Sequence, residues 1–183
     1  MSVVDEILAI YAARGAGAYF GERVSMRAHG LQAAHFAERA GASPMLVAAA
    51  LLHDIGHLII DVPDDIGAWT EDARHEESGA HWLGARFERG VSEPVRLHVA
   101  AKRYLCATNP AYFARLSPAS VTTLELQGGP MSATQVRQFE SEPHHRDAVL
   151  LRLWDDRGKI EGLATRELDD YRGLLESLAI GRP

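Results

Sequence analysis

The sequence predicts an all-α fold, and three observations support this prediction. Apolar residues recur at the three- and four-residue spacing of amphipathic helices along most of the 183 residues. No stretch shows the alternation of apolar and polar residues that is typical of a half-buried strand. Serine or serine–proline pairs precede many periodic segments and glycine follows several, as expected for helix caps. The length and a hydrophobic fraction of 46% favour a single domain over residues 1–183.

The N-terminal half is predicted to contain three helices, with start signals before the second and third. Serine hydroxyls there can accept a hydrogen bond from a helical N–H. The third segment is almost entirely apolar, which predicts a buried helix. The elements in order are an amphipathic helix with Val3, Ile7, Leu8 and Tyr11, a glycine-rich loop over 15–21, a helix from Ser25 to about Ala40, a helix opened by Ser43-Pro44 that carries His53 and Asp54, and a loop over 61–70.

The C-terminal half continues as helices separated by glycine, proline and serine signals. Proline within a first helical turn and glycine after a last turn define most of the expected boundaries. The elements are a helix from about Ala73 to Arg89 ended by Gly90, one from Glu93 to about Cys106 capped by Ser92, a short helix from Ser117-Pro118, a break at Gly128-Gly129-Pro130, a helix from Ser132, one from Ser141 through Asp156 closed by Gly158, and a last helix from about Arg166 to Leu178.

Composition narrows the class of protein. The formal net charge is -6 without a basic stripe, which disfavours a nucleic-acid partner but leaves room for a local cationic pocket. The single cysteine, Cys106, excludes an intramolecular disulfide and suits a reducing compartment. No basic segment precedes an apolar run at the N-terminus, and no run is long enough to span a membrane. We therefore expect a cytoplasmic protein with no membrane partner.

Histidine and aspartate residues recur on different predicted helices. Ligands that are distant in sequence and converge from several helices are the way helical bundles build metal sites. Imidazole and carboxylate without thiolate favour iron, manganese or zinc. We predict two metal sites, with Asp54 as the bridge between them. The predicted ligands are His29, His53, Asp54 and Asp155 for one ion, and Asp54, His75 and His98 for the other.

Other polar residues lie one helical turn from these ligands or from each other. His57 follows His53 by four residues, and Lys102 follows His98 by four, so each pair shares a helix face in the predicted helices. A lysine beside a metal centre suits a substrate with two or more negative charges. The hydroxyls of a further pair, Ser120 and Thr123, are three residues apart on a short helix and can face one anion.

These residues resemble a known family. The order His29, His53-Asp54, Asp155 resembles the HD-domain superfamily of metal-dependent phosphohydrolases, and the additional His75 and His98 resemble its dinuclear members. The sequence resembles one branch more closely, the HD-domain mixed-valent di-iron oxygenases that cleave the carbon–phosphorus bond of 1-hydroxyphosphonates. This similarity extends from residue 19 to residue 155. It includes the segments Tyr19-x-x-Glu22, His53-Asp54-Ile55-Gly56-His57, His98-x-x-x-Lys102 and Ser120-x-x-Thr123.

The resemblance implies an HD-domain helical bundle, two iron ions in a mixed Fe2+/Fe3+ state, and O2 as co-substrate. It also implies that Tyr19 ligates one iron in the resting enzyme and that Glu22 receives a substrate ammonium group at the far end of the pocket. Lys102, Ser120 and Thr123 would bind the phosphonate, and His57 would hydrogen-bond the substrate and assist proton movement. Asp54, His57 and Lys102 are therefore the expected catalytic residues. The implied products are inorganic phosphate and a carboxylic acid, which is glycine if the substrate is 2-amino-1-hydroxyethylphosphonate.

Three alternatives remain open from the sequence. The first is an HD-domain phosphohydrolase that uses a metal-activated water on a phosphoester or nucleotide. The second is ring cleavage of an inositol-type substrate by the same di-iron chemistry, and the third is a non-catalytic ligand sensor. His75 rather than His81 is taken as the ligand because its spacing matches that of the third histidine in the family's pattern. The remaining histidines, His35, His81, His144 and His145, are predicted to be solvated or packing residues.

Overall fold

The predicted all-α class is confirmed. A computed structural model describes residues 2–19, 22–60 and 74–181, and within these ranges β-structure is limited to isolated bridges. The predicted loop over 61–70 lies outside the described residues. The helices are α1 Val3–Arg14, α2 Met26–Arg39, α3 Pro44–Leu52, α4 Ile55–Ile59, α5 His75–Gly84, α6 Arg89–Thr108, α7 Pro110–Phe113, α8 Pro118–Leu126, α9 Ala133–Glu140, α10 His145–Arg157 and α11 Arg172–Leu178, with a 3-10 turn Leu168–Tyr171 before α11.

Serine caps determine where several helices begin, as the sequence predicts. The side chains of Ser25, Ser43, Ser117 and Ser132 accept hydrogen bonds from backbone N–H groups in the first turns of α2, α3, α8 and α9. Each bond satisfies one of the donors that a helix start leaves without a partner. In two of these four helices, α3 and α8, proline occupies the first turn directly after the cap.

Five predicted boundaries are wrong. Gly90 and Ser92 do not separate two helices, since α6 already begins at Arg89 and Ser92 is buried inside it. A side chain at Gly90 would come within 2.5 Å of Met45 Sδ, so glycine serves close packing there rather than termination. The other differences are that α5 ends at Gly84, that α10 begins only at His145, that the last helix is divided at Tyr171, and that α3 ends before His53.

The core is arranged around α3. The residues from Ala48 to Leu52 are at most 1% exposed, and α3 packs against α2 and α6. Helix α6 also packs against α5 and α10, and α10 packs against α2. Since each of α2, α3, α5, α6 and α10 packs against at least one other of the five, polar side chains on their inner faces can converge at the centre of the bundle. Among the described helices, none is both long and apolar enough to cross a membrane.

Candidate dinuclear metal centre and anion pocket

The six predicted histidine and aspartate ligands converge at this centre, and all six are buried. They come from five separate helices or from their ends. Asp54 lies in the turn between α3 and α4, and His53 caps the end of α3. The others are His29 on α2, His75 at the start of α5, His98 on α6 and Asp155 on α10.

One group of ligands surrounds Oδ2 of Asp54. The Nε2 atoms of His29 and His53 are 3.1 Å apart and lie 3.5 and 3.3 Å from this oxygen. Asp155 Oδ1 completes the group, at 3.3 Å from His29 Nε2 and 3.9 Å from His53 Nε2. Three of these residues, His29, His53 and Asp54, present ligand atoms that are close enough together to bind a single ion.

A second group surrounds the other oxygen of the same carboxylate. The Nε2 atoms of His75 and His98 are 3.1 Å apart and lie 3.3 and 3.6 Å from Asp54 Oδ1. These three residues also meet the spacing for a single ion. Asp54 thus offers one oxygen to each group, which is the arrangement that the sequence predicts for a bridging ligand.

Hydrogen bonds of the other ring nitrogen orient three of the imidazoles. In each case Nδ1 can donate to a backbone carbonyl, which leaves a lone pair on Nε2 for a metal. His75 differs, because its Nδ1 lies 3.5 Å from the carboxylate of Glu76. The three pairs are His29 Nδ1 with Gly158 O at 2.9 Å, His53 Nδ1 with Ala50 O at 2.9 Å, and His98 Nδ1 with Val95 O at 2.7 Å.

A cation fits this arrangement. Two Nε2 lone pairs 3.1 Å apart repel each other unless a positive charge lies between them. Asp54 Oδ2 and Asp155 Oδ1 are buried and, among the described residues, accept no hydrogen bond. A buried carboxylate oxygen without such a partner is costly, and a metal ion supplies the missing partner. Imidazole and carboxylate ligands are suited to iron, manganese or zinc.

The pKa values of His29 and Asp54 are determined by burial and by the opposite charges of the neighbouring ligands. Burial disfavours a charged imidazole, yet the carboxylates of Asp155 and Asp54 raise the pKa of His29 to about 9. Burial opposes ionisation of Asp54 as well, but the neighbouring His53, His29 and His75 hold the pKa of that carboxyl well below its usual value. The ligand set therefore favours a bound positive charge, whether a proton or a metal ion.

His57 lies in the site because it stacks on His75, and not because it shares a helix face with His53. Because α3 ends at Leu52 and α4 begins at Ile55, His53 and His57 do not share one helix face. His57 instead stacks on His75 with ring centroids 3.9 Å apart, and it lines the pocket. Burial and the nearby His75 lower its pKa well below the usual value, so its ring is neutral. Its predicted contact with substrate stays a prediction.

Tyr19 lies against the first ligand group. Its ring stacks on His29 with centroids 3.8 Å apart, and it lines the pocket. Burial, together with the charges of Asp54 and Asp155, raises the pKa of its hydroxyl well above the usual value. The backbone is held by hydrogen bonds from Tyr19 N to Val24 O and from Glu22 N to Tyr19 O. Its ligand role stays a prediction.

The pocket beside the centre contains the predicted anion-binding residues. Lys102 is 2% exposed, and its Nζ donates to Thr123 Oγ1 at 2.8 Å. Burial and the nearby Arg152 lower the pKa of Lys102 to about 7. Ser120 also lines the pocket, and it lies on α8 together with Thr123. An anion in this pocket would be close to a lysine and two hydroxyls, as the sequence predicts.

Two further cations, which the sequence reasoning missed, reach this pocket. Arg152 donates to Asp155 Oδ2 at 2.7 Å and to Ser120 Oγ at 3.4 Å. Lys159 donates to Ser120 Oγ at 3.2 Å. Arg152 could have been found from its position three residues before Asp155 on α10. Lys159 carries no such spacing signal, because it follows the end of that helix.

Glu22 lies beside one of these cations. Its carboxylate lies 3.3 Å from Lys159 Nζ, and that ammonium also contacts the Ser120 hydroxyl. The predicted position of Glu22 at the far end of the pocket and its predicted contact with a substrate ammonium stay predictions.

The remaining histidines are separate from the centre. His81 is exposed on α5, whereas His75 on the same helix is buried among the ligands. His144 lies beside Asp147 at 3.3 Å, and His145 Nδ1 lies 2.7 Å from the Glu142 carbonyl. These neighbours are near the start of α10, away from the ligand groups.

Comparisons with known proteins agree with this geometry. Residues 26–157 match the HD domain. The chain is 46% identical over 160 residues, 87% of its length and 80% of the relative's, to a hydroxymethylphosphonate dioxygenase of Gimesia maris. It is 45% identical over 170 residues, 93% of its length and 85% of the relative's, to a glycine-betaine-forming 1-hydroxy-2-(trimethylamino)ethylphosphonate dioxygenase of Leisingera caerulea. An uncharacterized protein of Acanthamoeba polyphaga mimivirus is 34% identical over 174 residues, 94% of the chain and 80% of the relative.

The matched HD region begins with α2 and ends with α10, so it contains every ligand of the two groups. The two relatives with a named activity extend the likeness beyond that region, over 87% and 93% of the chain. The resemblance that the motifs predict is thereby confirmed. The chain belongs to the HD-domain family and, within it, to the group of phosphonate dioxygenases that these two relatives represent.

Proposed function

We propose that the protein uses O2 to cleave the carbon–phosphorus bond of a 1-hydroxyphosphonate, giving a carboxylic acid and inorganic phosphate. The observation that carries the proposal is a bridged pair of ligand groups opening onto a pocket with Lys102, Ser120 and Thr123. The relatives named as dioxygenases of hydroxymethylphosphonate and of its trimethylaminoethyl counterpart support the reaction and the substrate class. The reaction balances, because both atoms of O2 appear in the two products.

We propose that this centre holds two iron ions in a mixed Fe2+/Fe3+ state. His29, His53, Asp54 and Asp155 would hold one ion, with Tyr19 as a further ligand before substrate arrives, and Asp54, His75 and His98 would hold the other. When bound, such a pair would supply O2 activation, and the electrons that reduce O2 would come from the substrate as C1 is oxidised. The protein supplies the bridging carboxylate, the orientation of the imidazoles through their Nδ1 hydrogen bonds, and a buried site.

The pocket residues would hold the substrate so that C1 faces the centre. Lys102 pairs with the phosphonate as an ammonium, and the hydroxyls of Ser120 and Thr123 donate to phosphonate oxygens. Fixing one end of a small molecule in this way orients the C1–H bond, which is the principal contribution of binding to rate. The neutral ring of His57, stacked on His75, can accept a hydrogen bond from the substrate hydroxyl.

Three 1-hydroxyphosphonates are the candidate substrates: hydroxymethylphosphonate, 2-amino-1-hydroxyethylphosphonate and its trimethylammonio derivative. They share the hydroxyl, C1 and the phosphonate, and they differ only in the substituent on C1. Their acid products are formate, glycine and glycine betaine. The centre and the anion pocket act on the shared part, so the substituent determines which of them the protein prefers.

The deciding experiment compares phosphate release with O2 consumption for iron-loaded protein and each of the three substrates. We expect one phosphate released for each O2 consumed, and no release under strict anaerobiosis. Equal phosphate release without O2 would replace the proposal with hydrolysis by the same ligand set, and tight binding without turnover would make the protein a sensor. Electron paramagnetic resonance of the loaded protein tests the mixed-valent iron pair independently of turnover.

A further inference from the structure

Tyr112 is a buried polar residue to which the proposed chemistry gives no role. It lies on the short helix α7 and is 4% exposed. Its ring belongs to a hydrophobic cluster with Leu105, Cys106 and Leu124, and its backbone N–H donates to the side chain of Asn109 at 3.3 Å. The position of the hydroxyl is therefore fixed by the packing of the ring and by the cap of α7.

The Tyr112 hydroxyl and the carboxylate of Asp156 together hold one edge of Arg152 on α10. The hydroxyl donates to Asp156 Oδ2 at 2.6 Å and accepts from Arg152 Nε at 3.0 Å. Arg152 Nε also donates to Asp156 Oδ2 at 3.2 Å, and Nη2 bonds to the other oxygen of that carboxylate. Burial raises the pKa of the Tyr112 hydroxyl well above its usual value, so the hydroxyl keeps its proton and its donor role.

The rest of the same guanidinium group reaches the metal centre and the anion pocket. Its Nη1 donates to Asp155 Oδ2 at 2.7 Å, and Nη2 donates to Ser120 Oγ at 3.4 Å. The other oxygen of Asp155, Oδ1, belongs to the first ligand group. A guanidinium group is planar and rigid, so fixing Nε also fixes the directions in which Nη1 and Nη2 donate. Hydrogen bonds of this kind orient the carboxylates that bind metals.

The outer partners also prevent a different arrangement of Arg152. Among the described residues, its acidic partners are Asp155 and Asp156. Without Asp156 and the Tyr112 hydroxyl, the guanidinium group could turn both Nη atoms toward Asp155, which is the fork geometry that arginine and carboxylate favour. That rotation would withdraw Nη2 from Ser120. By occupying Nε, the two outer partners keep one Nη on the metal ligand and the other on the pocket hydroxyl.

We propose, on the basis of the proposed function, that Tyr112 and Asp156 are positioning residues that act through Arg152 and set the orientation of the metal ligand Asp155 and of Ser120 in the anion pocket. Neither of the two is among the described residues that line this pocket. They line instead a separate groove on the surface beside Leu153. Their effect on metal and anion is therefore indirect, and it requires the guanidinium group.

The first test is a double-mutant cycle with Tyr112→Phe and Arg152→Lys. Calorimetry of metal-loaded protein under anaerobiosis gives Kd for hydroxymethylphosphonate without turnover. We expect Tyr112→Phe to raise Kd by about fivefold or more in the wild-type background, because a buried hydrogen bond to a charged group is lost. In the Arg152→Lys background the same change should raise Kd by less than about twofold, because residues that act through one group are not additive. Equal factors in both backgrounds, or no effect in either, would overturn the inference.

Variants of Asp156 keep the test decisive if Tyr112→Phe does not fold. Asp156→Ala should raise Kd more than Asp156→Asn, because asparagine keeps one acceptor for Arg152. The matched control is Tyr104→Phe, since the Tyr104 hydroxyl also bonds a carboxylate, Glu140 Oε1 at 3.0 Å, but at the surface. It should leave Kd unchanged. An effect of the control as large as that of Asp156→Ala would contradict a specific role for the outer partners.

Metal retention provides a readout that needs no substrate. During dialysis against a chelator, Tyr112→Phe and Asp156→Ala should release one of the two ions faster than the wild type and than Tyr104→Phe, because Asp155 is held less firmly. Unchanged release in both variants would overturn the inference while leaving C–P cleavage intact. Failure of the proposed function looks different, since the wild type would then give no O2-dependent phosphate release, whereas the dependence of metal retention on Tyr112 and Asp156 would persist.

Discussion

At the scale of single residues, the metal centre depends on which nitrogen or oxygen each side chain presents. Asp54 directs its two carboxylate oxygens to different imidazole pairs, and the imidazoles direct Nε2 inward because Nδ1 is already hydrogen-bonded in three of them. The second group has three protein ligands and the first has four. Removing one ligand from the smaller group should therefore affect its ion most.

We expect His75→Gln to lower the metal content by about one ion per chain, because the second group then retains only Asp54 and His98. His81→Gln is the matched control, since His81 lies on the same helix but is exposed. Metal analysis of both purified variants by mass spectrometry measures the difference. Loss of metal from the His81 variant, with full loading of the His75 variant, would reverse the assignment of the ligand on α5.

Replacement of Lys102 should affect substrate rather than metal. Lys102 is buried, and its Nζ donates to Thr123 rather than to a predicted metal ligand. Truncation of its side chain should therefore leave the ligands in place. We expect Lys102→Ala to raise KM for the phosphonate by about 10- to 100-fold, because a buried charge pair with substrate is worth on the order of 1.5–3 kcal/mol.

Lys102→Arg is the companion variant, because it keeps a positive charge but changes the shape of the donor. Steady-state kinetics give KM, and metal analysis of the same preparations gives the loading. Loss of metal in Lys102→Ala would show that the residue supports the centre and not the anion pocket.

Residue types together with the family's spacing made the ligands predictable, whereas the remaining pocket residues required the fold. Histidines and aspartates on separate helices supplied the candidates, the spacing selected His75 over His81, and the six predicted histidine and aspartate ligands lie together in the structure. Lys159 could not be found in that way. It reaches the pocket only because Gly158 contacts His29 and Gln32 holds Ile160, and both contacts join residues more than 120 positions apart.

At the scale of helices, the break between α3 and α4 is the main departure from expectation. The alanine- and leucine-rich sequence predicts a helix that continues through His53 and Asp54, and no glycine or proline marks an end there. The structure ends α3 at Leu52 and holds the turn by tertiary contacts: Tyr11 donates its hydroxyl to the Leu51 carbonyl at 3.0 Å, and His53 Nδ1 bonds to Ala50 O. Helix propensity depends on the local sequence and takes no account of these two contacts, so the break could not be predicted from the sequence.

Gly56 determines how closely α4 and α5 approach. A side chain at this position would overlap the backbone carbonyl of His75, which belongs to a metal ligand. Because backbone cannot yield as a flexible side chain does, the helices must separate to admit even a methyl group. The helix that carries His57 and the helix that carries His75 would then move apart.

Gly56→Ala should lower the free energy of unfolding by about 2–3 kcal/mol and weaken metal binding, since overpacking a rigid contact is costly. Gly173→Ala is the matched control: Gly173 is exposed in α11 with nothing within 4 Å of an added methyl, so a gain of about 0.5–1 kcal/mol is expected there. Urea denaturation of the metal-free proteins measures both changes. Equal stability of the two variants would contradict the close contact between Gly56 and His75.

At the scale of the whole molecule, the metal centre joins parts of the chain that are far apart in sequence. Its ligands lie between positions 29 and 155 and come from α2, the ends of α3 and α5, α6 and α10. The unfolded chain cannot present them together, so a metal ion binds the folded state preferentially and stabilises it. The assignment of residues 1–183 to one domain stays a prediction.

Removal of metal should therefore lower thermal stability. At a free metal concentration about 100 times Kd, the stabilisation is about 2.7 kcal/mol, or roughly 5–10 °C in Tm for a chain of this size. Calorimetric scans before and after chelation, and again after iron is restored, measure the shift. In Asp54→Asn, which lacks the full bridging carboxylate, chelation should change Tm much less. An unchanged Tm in the wild type would contradict a metal site built from these ligands.

Arg152 has a consequence for the thermodynamics of the two sites. One end of its guanidinium group bonds the ligand Asp155, and the other reaches Ser120 in the anion pocket. If metal loading moves Asp155, Arg152 would transmit that movement to Ser120, the hydroxyl proposed to bind the anion. Metal and phosphonate would then be linked ligands, and such linkage is reciprocal: the factor by which metal tightens anion binding equals the factor by which the anion tightens metal binding.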